Sequence, residues 1–156
     1  HPSRSFIMND IESILYACCD IKRKVVEEDE LDTGRRMLLN FGHTIGHAYE
    51  LAGNYTTWTH GQAVAAGMCA AAKLGVSLNV TPPDVPSKIE ALCATFGLPT
   101  AIDCSIQDYT AAICRDKKGA GTDISLILLT QLGRAVPYQL PKAQLIRLLN
   151  SFDRVP

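Results

Sequence analysis

The sequence predicts a mainly α protein: a helical bundle domain over residues 1–156 with one small β-hairpin. Three patterns carry that expectation. Ile7, Ile11, Ile14, Cys18, Ile21 and Val25 recur at alternating steps of four and three, the seam of one long amphipathic helix. The run from Ala63 to Ala72 is dominated by Ala and Gly, small residues that let a buried helix approach its neighbours closely. Only two segments read as strands, Ile124 to Thr130 and Ala135 to Leu140, and Leu132-Gly133 joins them as a hairpin.

In chain order, the first helix runs from Ile7 to about Glu28, and the acidic stretch Asp29-Glu30-Leu31-Asp32-Thr33-Gly34 ends it. A second helix carries Asn40 to Leu51 and stops near Gly53-Asn54. The third begins at His60-Gly61 and extends to about Leu78, before the break at Thr81-Pro82-Pro83. Pro83 suits the first turn of a fourth helix, with Ile89, Leu92, Cys93 and Phe96 inward and Gly97-Leu98-Pro99 at its end. Ser105-Ile106-Gln107-Asp108 resembles a capping box for a short helix to Cys114, and a cationic, glycine-bearing loop follows over residues 115–121. After the hairpin, Pro141 opens a last helix through Leu145, Leu148 and Leu149.

Bulk properties narrow the function. The chain is 47% hydrophobic and 20% charged with a formal net charge of -1, as expected of a globular protein without a polyanionic partner. No basic run interleaved with aromatics points to nucleic acid. The apolar run from Ala63 to Leu78 is interrupted by Lys73 and too short to span a bilayer, and no secretory signal is visible. The six cysteines form no Cys-x-x-Cys pair, which favours reduced thiols packed as small core residues and a cytoplasmic location. No strand leads through a Gly-rich turn into a helix, so the chain carries no dinucleotide-binding unit of its own.

Chemistry concentrates between Arg36 and Gln62. Three of the four histidines lie there, with His43 and His47 spaced i, i+4 on one helical face and His60 placed to fold back beside them. Imidazole is the commonest metal ligand near neutral pH, and a reactive divalent site usually has three protein ligands and an open position. His43, His47 and His60 are the candidate ligands, and together they would complete a three-histidine shell. Arg36 and Asn40 are also i, i+4, offering a guanidinium fork for an anion and an amide for a hydroxyl. Glu50, Tyr49, Tyr55 and Trp58 read as structural residues or pocket walls. Arg23, Lys24 and Arg35 read as solvated charges.

The run Arg36-Met-Leu-Leu-Asn40-Phe-Gly-His43-Thr-Ile-Gly-His47-Ala, followed by His60-Gly61-Gln62, resembles the signature of 3-dehydroquinate synthase. In that family Arg-x-x-Leu-Asn-x-Gly-His-Thr-x-Gly-His-Ala precedes a His-Gly-Glu turn. The resemblance extends from Ile21-Lys22 through Asp116-Lys117-Lys118 and the hairpin, and implies the C-terminal, metal- and substrate-binding domain, with the N-terminal NAD-binding domain outside this chain. It implies Zn²⁺ or Co²⁺ on His43 and His60, with a third, carboxylate ligand from a Glu-Val-Ile-Lys type stretch not found here. It implies proton transfer by His47 and substrate contacts by Lys22, Arg36, Asn40 and one of Lys117 and Lys118. Asp32 stands where the family carries an acidic catalytic residue, usually the longer Glu. Gln62 replaces the usual Glu, which removes a charge that would orient His60.

The implied reaction converts 3-deoxy-D-arabino-heptulosonate 7-phosphate into 3-dehydroquinate and phosphate, a carbon–oxygen lyase step of the shikimate pathway leading to chorismate and the aromatic amino acids. The implied full-length enzyme is a homodimer that uses NAD on a phosphorylated sugar acid, and this chain alone is expected to be inactive. Two alternatives stand beside it. One is a domain of a related sugar-phosphate cyclase or an iron-dependent polyol dehydrogenase; the other is a non-catalytic helical interaction domain.

Overall fold

The computed structural model describes residues 10–29, 34–102, 110–111, 113 and 122–152, with the side chain of residue 152 excepted. The elements described over their full length are, in order, α1 (Ile11–Glu28), a 3-10 helix (Arg35–Asn40), α2 (His43–Ala52), α3 (His60–Ser77), α4 (Val85–Thr95), β1 (Asp123–Gln131), β2 (Arg134–Pro141) and α5 (Lys142–Phe152). The expected class, mostly helical with one antiparallel hairpin, is the observed one.

α3 is the centre of the domain. Eleven of its eighteen residues are buried, and its neighbours are α2, α4, α5 and β1. Small residues make that possible. A Cβ on Gly67 would lie 2.2 Å from the Gly42 carbonyl oxygen and 2.7 Å from the Gly46 nitrogen, so α2 and α3 meet backbone against backbone. Ile45, Ala48 and Leu74 then pack with Leu126 and Leu128 of β1, and Leu145 and Leu149 of α5, into the main core. At the far end of α3, Thr81 is the buried polar residue among the described ones; its hydroxyl donates to the Leu129 carbonyl at 2.7 Å and ties the helix exit to β1. A buried hydroxyl left without that acceptor would cost about 1–3 kcal/mol.

The hairpin has the expected place and antiparallel register, Ile124 opposite Leu140 and Leu128 opposite Val136, with a bulge between Leu129 and Gln131. Gly133 turns the chain at φ +82°, a conformation that an L side chain resists. Cys69 and Cys93 pack as expected, buried with Sγ atoms 4.0 Å apart, and burial pushes the Cys69 thiol up to about 12.

Several expectations need correction. In α1 only Val25 is buried; Ile14 is 38% exposed, Ile21 58%, and Cys18 and Cys19 face solvent. The periodicity identified an apolar face correctly, but α1 packs mainly on the short 3-10 helix, which is too small to cover it. The second helix does not start at Asn40. A 3-10 turn ends there, and Gly42, at φ +80°, breaks the chain before α2. The proline in the first turn of α4 is Pro86, not Pro83, because Asp84 precedes the first helical residue. That phase sends Val85, Ile89 and Cys93 toward the core and leaves Leu92 49% exposed. Cys104, Cys114, the capping box at Ser105–Asp108 and the 115–121 loop lie outside the described residues.

The α2–α3 contact makes a clear prediction. Gly67→Ala should cost about 1–3 kcal/mol or more by overpacking, seen as a lower midpoint in thermal melting by circular dichroism. Gly61→Ala, with nothing within 4 Å of the added Cβ, should melt at or slightly above the parent. Equal melting of Gly67→Ala and parent would show that the two helices are not in backbone contact.

Candidate metal centre

Two helix N-termini meet at this site. Gly42 releases the chain so that His43 is the first residue of α2, and His47 and Glu50 follow on the same face at steps of four and seven. Seven residues then carry the chain back. Asn54 and Tyr55 turn it at φ +51° and +57°, while the Thr56 and Thr57 hydroxyls donate to the Gly53 carbonyl at 3.2 and 3.1 Å. Thr59 caps α3. Its hydroxyl accepts from the Gln62 backbone N–H, and the Gln62 side-chain oxygen accepts from the Thr59 backbone N–H at 3.0 Å. His60 is thereby held as the first residue of α3, and its Cβ points back toward the N-terminus and α2.

The three imidazoles converge. Ring centroids are 5.4 Å apart for His43–His60, 5.7 Å for His43–His47 and 5.8 Å for His47–His60. The ligand atoms of His47, Glu50 and His60 all lie within 4.8 Å of one another. In a tetrahedral shell with metal–nitrogen bonds of about 2.0–2.1 Å, ligand atoms sit roughly 3.3–3.5 Å apart. That close set leaves out His43, whose ring centroid lies 5.7 Å from that of His47 and 5.4 Å from that of His60. Nitrogen-rich donors with one carboxylate suit a borderline divalent ion such as Zn²⁺ or Co²⁺. The donor set fits such an ion.

Two of the rings have a further contact. The His43 Nδ1 is 3.4 Å from the Phe41 carbonyl. The His60 Nδ1 is 3.2 Å from both carboxylate oxygens of Glu50, whose side chain is 11% exposed against 57% for His60. Glu50 is thus no mere pocket wall. A sequence signal was available, since residues 43, 47 and 50 form one i, i+4, i+7 stripe. Gln62, read as removing a charge that would orient His60, closes the capping box; the pattern Thr-x-x-Gln before a helix marks that role in the sequence.

The structure gathers His43, His47 and His60. Arg36 is half-buried and Asn40 exposed on the 3-10 helix just upstream, set off from α2 by Phe41-Gly42 rather than continuing its face. The Asp29 carboxylate fixes the start of that helix, accepting from the Gly34 and Arg36 backbone N–H groups at 2.7 and 3.0 Å. Lys22 is exposed on α1. Its neighbours Arg23 and Lys24 pair with Asp20, and hydrogen bonds from Lys24 and Arg23 hold that carboxyl below its ordinary range. Arg35 pairs with Glu28 rather than standing alone in solvent. Asp32, Lys117 and Lys118 lie outside the described residues.

Residues 3–119 match the family model for the 3-dehydroquinate synthase C-terminal domain. The 3-dehydroquinate synthase of Streptococcus suis (strain 05ZYH33) is 41% identical over 145 residues, 92% of this chain and 41% of that protein. That of Streptococcus sanguinis (strain SK36) is 41% identical over 147 residues, with the same coverage. The chain therefore spans about two fifths of the curated relatives it matches. Among solved structures, 2-deoxy-scyllo-inosose synthase complexed with carbaglucose-6-phosphate, NAD⁺ and Co²⁺ superposes with a TM-score of 0.80 at 25% identity, covering 92% of this chain and 41% of that one. A second structure of 2-deoxy-scyllo-inosose synthase gives 0.76 at 26% identity, covering 92% and 40%.

Proposed function

The chain belongs to the 3-dehydroquinate synthase family, matching its C-terminal domain, and from that premise we propose that it is the metal- and substrate-binding half of an enzyme converting 3-deoxy-D-arabino-heptulosonate 7-phosphate to 3-dehydroquinate and phosphate. The observation that carries the proposal is the convergence of His43, His47 and His60 within the matched motif. NAD and a homodimeric, cytoplasmic full-length protein belong to the same proposal, with NAD held by an N-terminal domain beyond this chain. No helix among the described residues is long and apolar enough to cross a membrane.

In this proposal His43 and His60 hold a divalent ion, and a carboxylate from the N-terminal portion completes the set. When bound, the ion would supply Lewis acidity toward substrate hydroxyls, and NAD would supply reversible hydride-accepting chemistry. The chain's own residues bind and move protons. The Arg36 guanidinium grips an anionic group bidentately, the Asn40 amide holds a hydroxyl, and Lys22 with Lys117 or Lys118 offsets the remaining negative charge. Asp32 contributes acid–base chemistry at the same substrate. His47, on the face of α2 with His43, takes and returns a substrate proton. A lyase built this way depends on positioning and electrostatics rather than covalent chemistry by the protein.

The likeness to 2-deoxy-scyllo-inosose synthase favours one rival, a sugar-phosphate cyclase acting on a hexose phosphate. The higher identity to 3-dehydroquinate synthases, together with the matched Arg36 and Asn40, weighs for the sugar acid. Turnover of the heptulosonate phosphate against a hexose 6-phosphate by the full-length enzyme separates them.

Single substitutions in the full-length enzyme should divide the histidines. His43→Ala and His60→Ala should each strip the metal on purification, measured by elemental analysis. His47→Ala should keep it while losing about 10²–10⁴-fold in turnover. A protein that needs His47 for metal and dispenses with His60 would overturn the assignment.

The chain alone should release no phosphate from the heptulosonate phosphate with NAD and Co²⁺ supplied, because it offers neither the external carboxylate nor a dinucleotide site. Phosphate release above a no-protein control would show the 156-residue chain to be self-sufficient.

A further inference from the structure

We propose that Glu50 is a positioning residue for His60, fixing its tautomer so that Nε2 presents its lone pair to the metal; this rests on the reading of His60 as a ligand. Three observations support it. Both Glu50 carboxylate oxygens lie 3.2 Å from the same ring nitrogen, Nδ1. A carboxylate and an unprotonated nitrogen are both acceptors and would repel at that distance, so the contact requires a proton on Nδ1, donated to Glu50. The neutral ring then carries its lone pair on Nε2.

Burial shows which partner is fixed. Glu50 is 11% exposed and anchored in the second half of α2, whereas His60 is 57% exposed at the mobile-prone first position of a helix. An exposed imidazole has two ring orientations and two tautomers open to it. A carboxylate held by the packed helix removes that freedom and strengthens the ring as a donor, as partners of metal-bound histidines do elsewhere. Gln62, at the position where the family motif has an acidic residue, is committed to capping α3 and carries no charge. Among the described residues, Glu50 is therefore the carboxylate that meets His60.

The competing role for Glu50 is direct ligation, since its oxygens also fall within the 4.8 Å cluster with His47 and His60. The contact with Nδ1 argues against it. Nδ1 and Nε2 lie on different edges of the ring, so a carboxylate bonded to Nδ1 is turned away from an ion on Nε2.

The test reads tautomer and affinity separately. Long-range proton–nitrogen correlation on the ¹⁵N-labelled, metal-free 156-residue chain at pH 8 should show His60 as the Nδ1–H form. Glu50→Gln, whose amide oxygen still accepts, should keep that form, and Glu50→Leu should shift it toward Nε2–H with unchanged helicity. In the full-length enzyme, Co²⁺ affinity should fall about 10–100-fold in Glu50→Leu and less in Glu50→Gln. An Nε2–H form in the parent chain would overturn the inference, and it needs no variant to fold. Equal affinity losses in both variants, with the tautomer unchanged, would make Glu50 a ligand and also overturn it. An Nδ1–H form in a full-length parent that binds no Co²⁺ would uphold the Glu50–His60 contact while refuting the metal reading itself.

Discussion

The backbone contact between α2 and α3 is the constraint on which the rest of this domain depends. At Gly42, Gly46 and Gly67 the two helices approach so closely that a single Cβ would strike main-chain atoms. A protein interior has no slack to absorb such a group, so side-chain size at three positions sets the distance between two helices. That distance in turn sets the separation of His60 from His43 and His47, because His43 and His60 are the first residues of their helices and His47 lies just over one turn into α2. Site geometry is thus decided by residues with no side chains at all.

The short connection between those helices completes the arrangement. Two left-handed residues and two threonine hydroxyls satisfy the carboxyl end of α2, and the Thr59–Gln62 box satisfies the start of α3. Each capping contact is worth roughly 1 kcal/mol, and together they limit fraying where His60 sits. His60 would otherwise occupy one of the least restrained positions in a helix. The hairpin and α5 pack with both α2 and α3 in the main core, and the Thr44 hydroxyl beside His43 donates to the Ser125 carbonyl of β1.

Much of this was legible in the sequence because it depends on local period. The i, i+4 pair His43 and His47, the Ala/Gly run of α3 and the Leu132-Gly133 turn are each fixed by neighbours close in the chain. What the sequence concealed depends on which partner wins. Glu50 meets His60 across ten positions, and only the α2–α3 geometry says so. Arg36 and Asn40 look continuous with the histidine face until Gly42 takes a left-handed conformation for packing reasons that lie on α3, at Met68 and Gly67. In α1 the period of Ile14, Cys18 and Ile21 marks an apolar face faithfully. Periodicity reports such a face, not how much of it is covered, and among the described residues the 3-10 helix covers little beyond Val25.

Electrostatics explains why a carboxylate belongs in this cluster. His43 and His60 are each the first residue of a helix, so the site receives the positive ends of two helix dipoles, each equivalent to about half an elementary charge. Neutral imidazoles do nothing to offset that potential, and a dication placed there adds to it. Donor chemistry alone would make three histidines an adequate shell, but at these termini the ion needs negative charge nearby. Glu50 supplies one such charge through His60, and a carboxylate ligand from outside the chain would supply a second. The same two termini favour an anionic substrate, since backbone N–H groups at a helix start are natural partners for phosphate and carboxylate. A cation held against the field and an anion drawn along it are compatible only when they neutralise one another. That is the condition the phosphorylated sugar acid of the proposed reaction would meet beside a divalent ion.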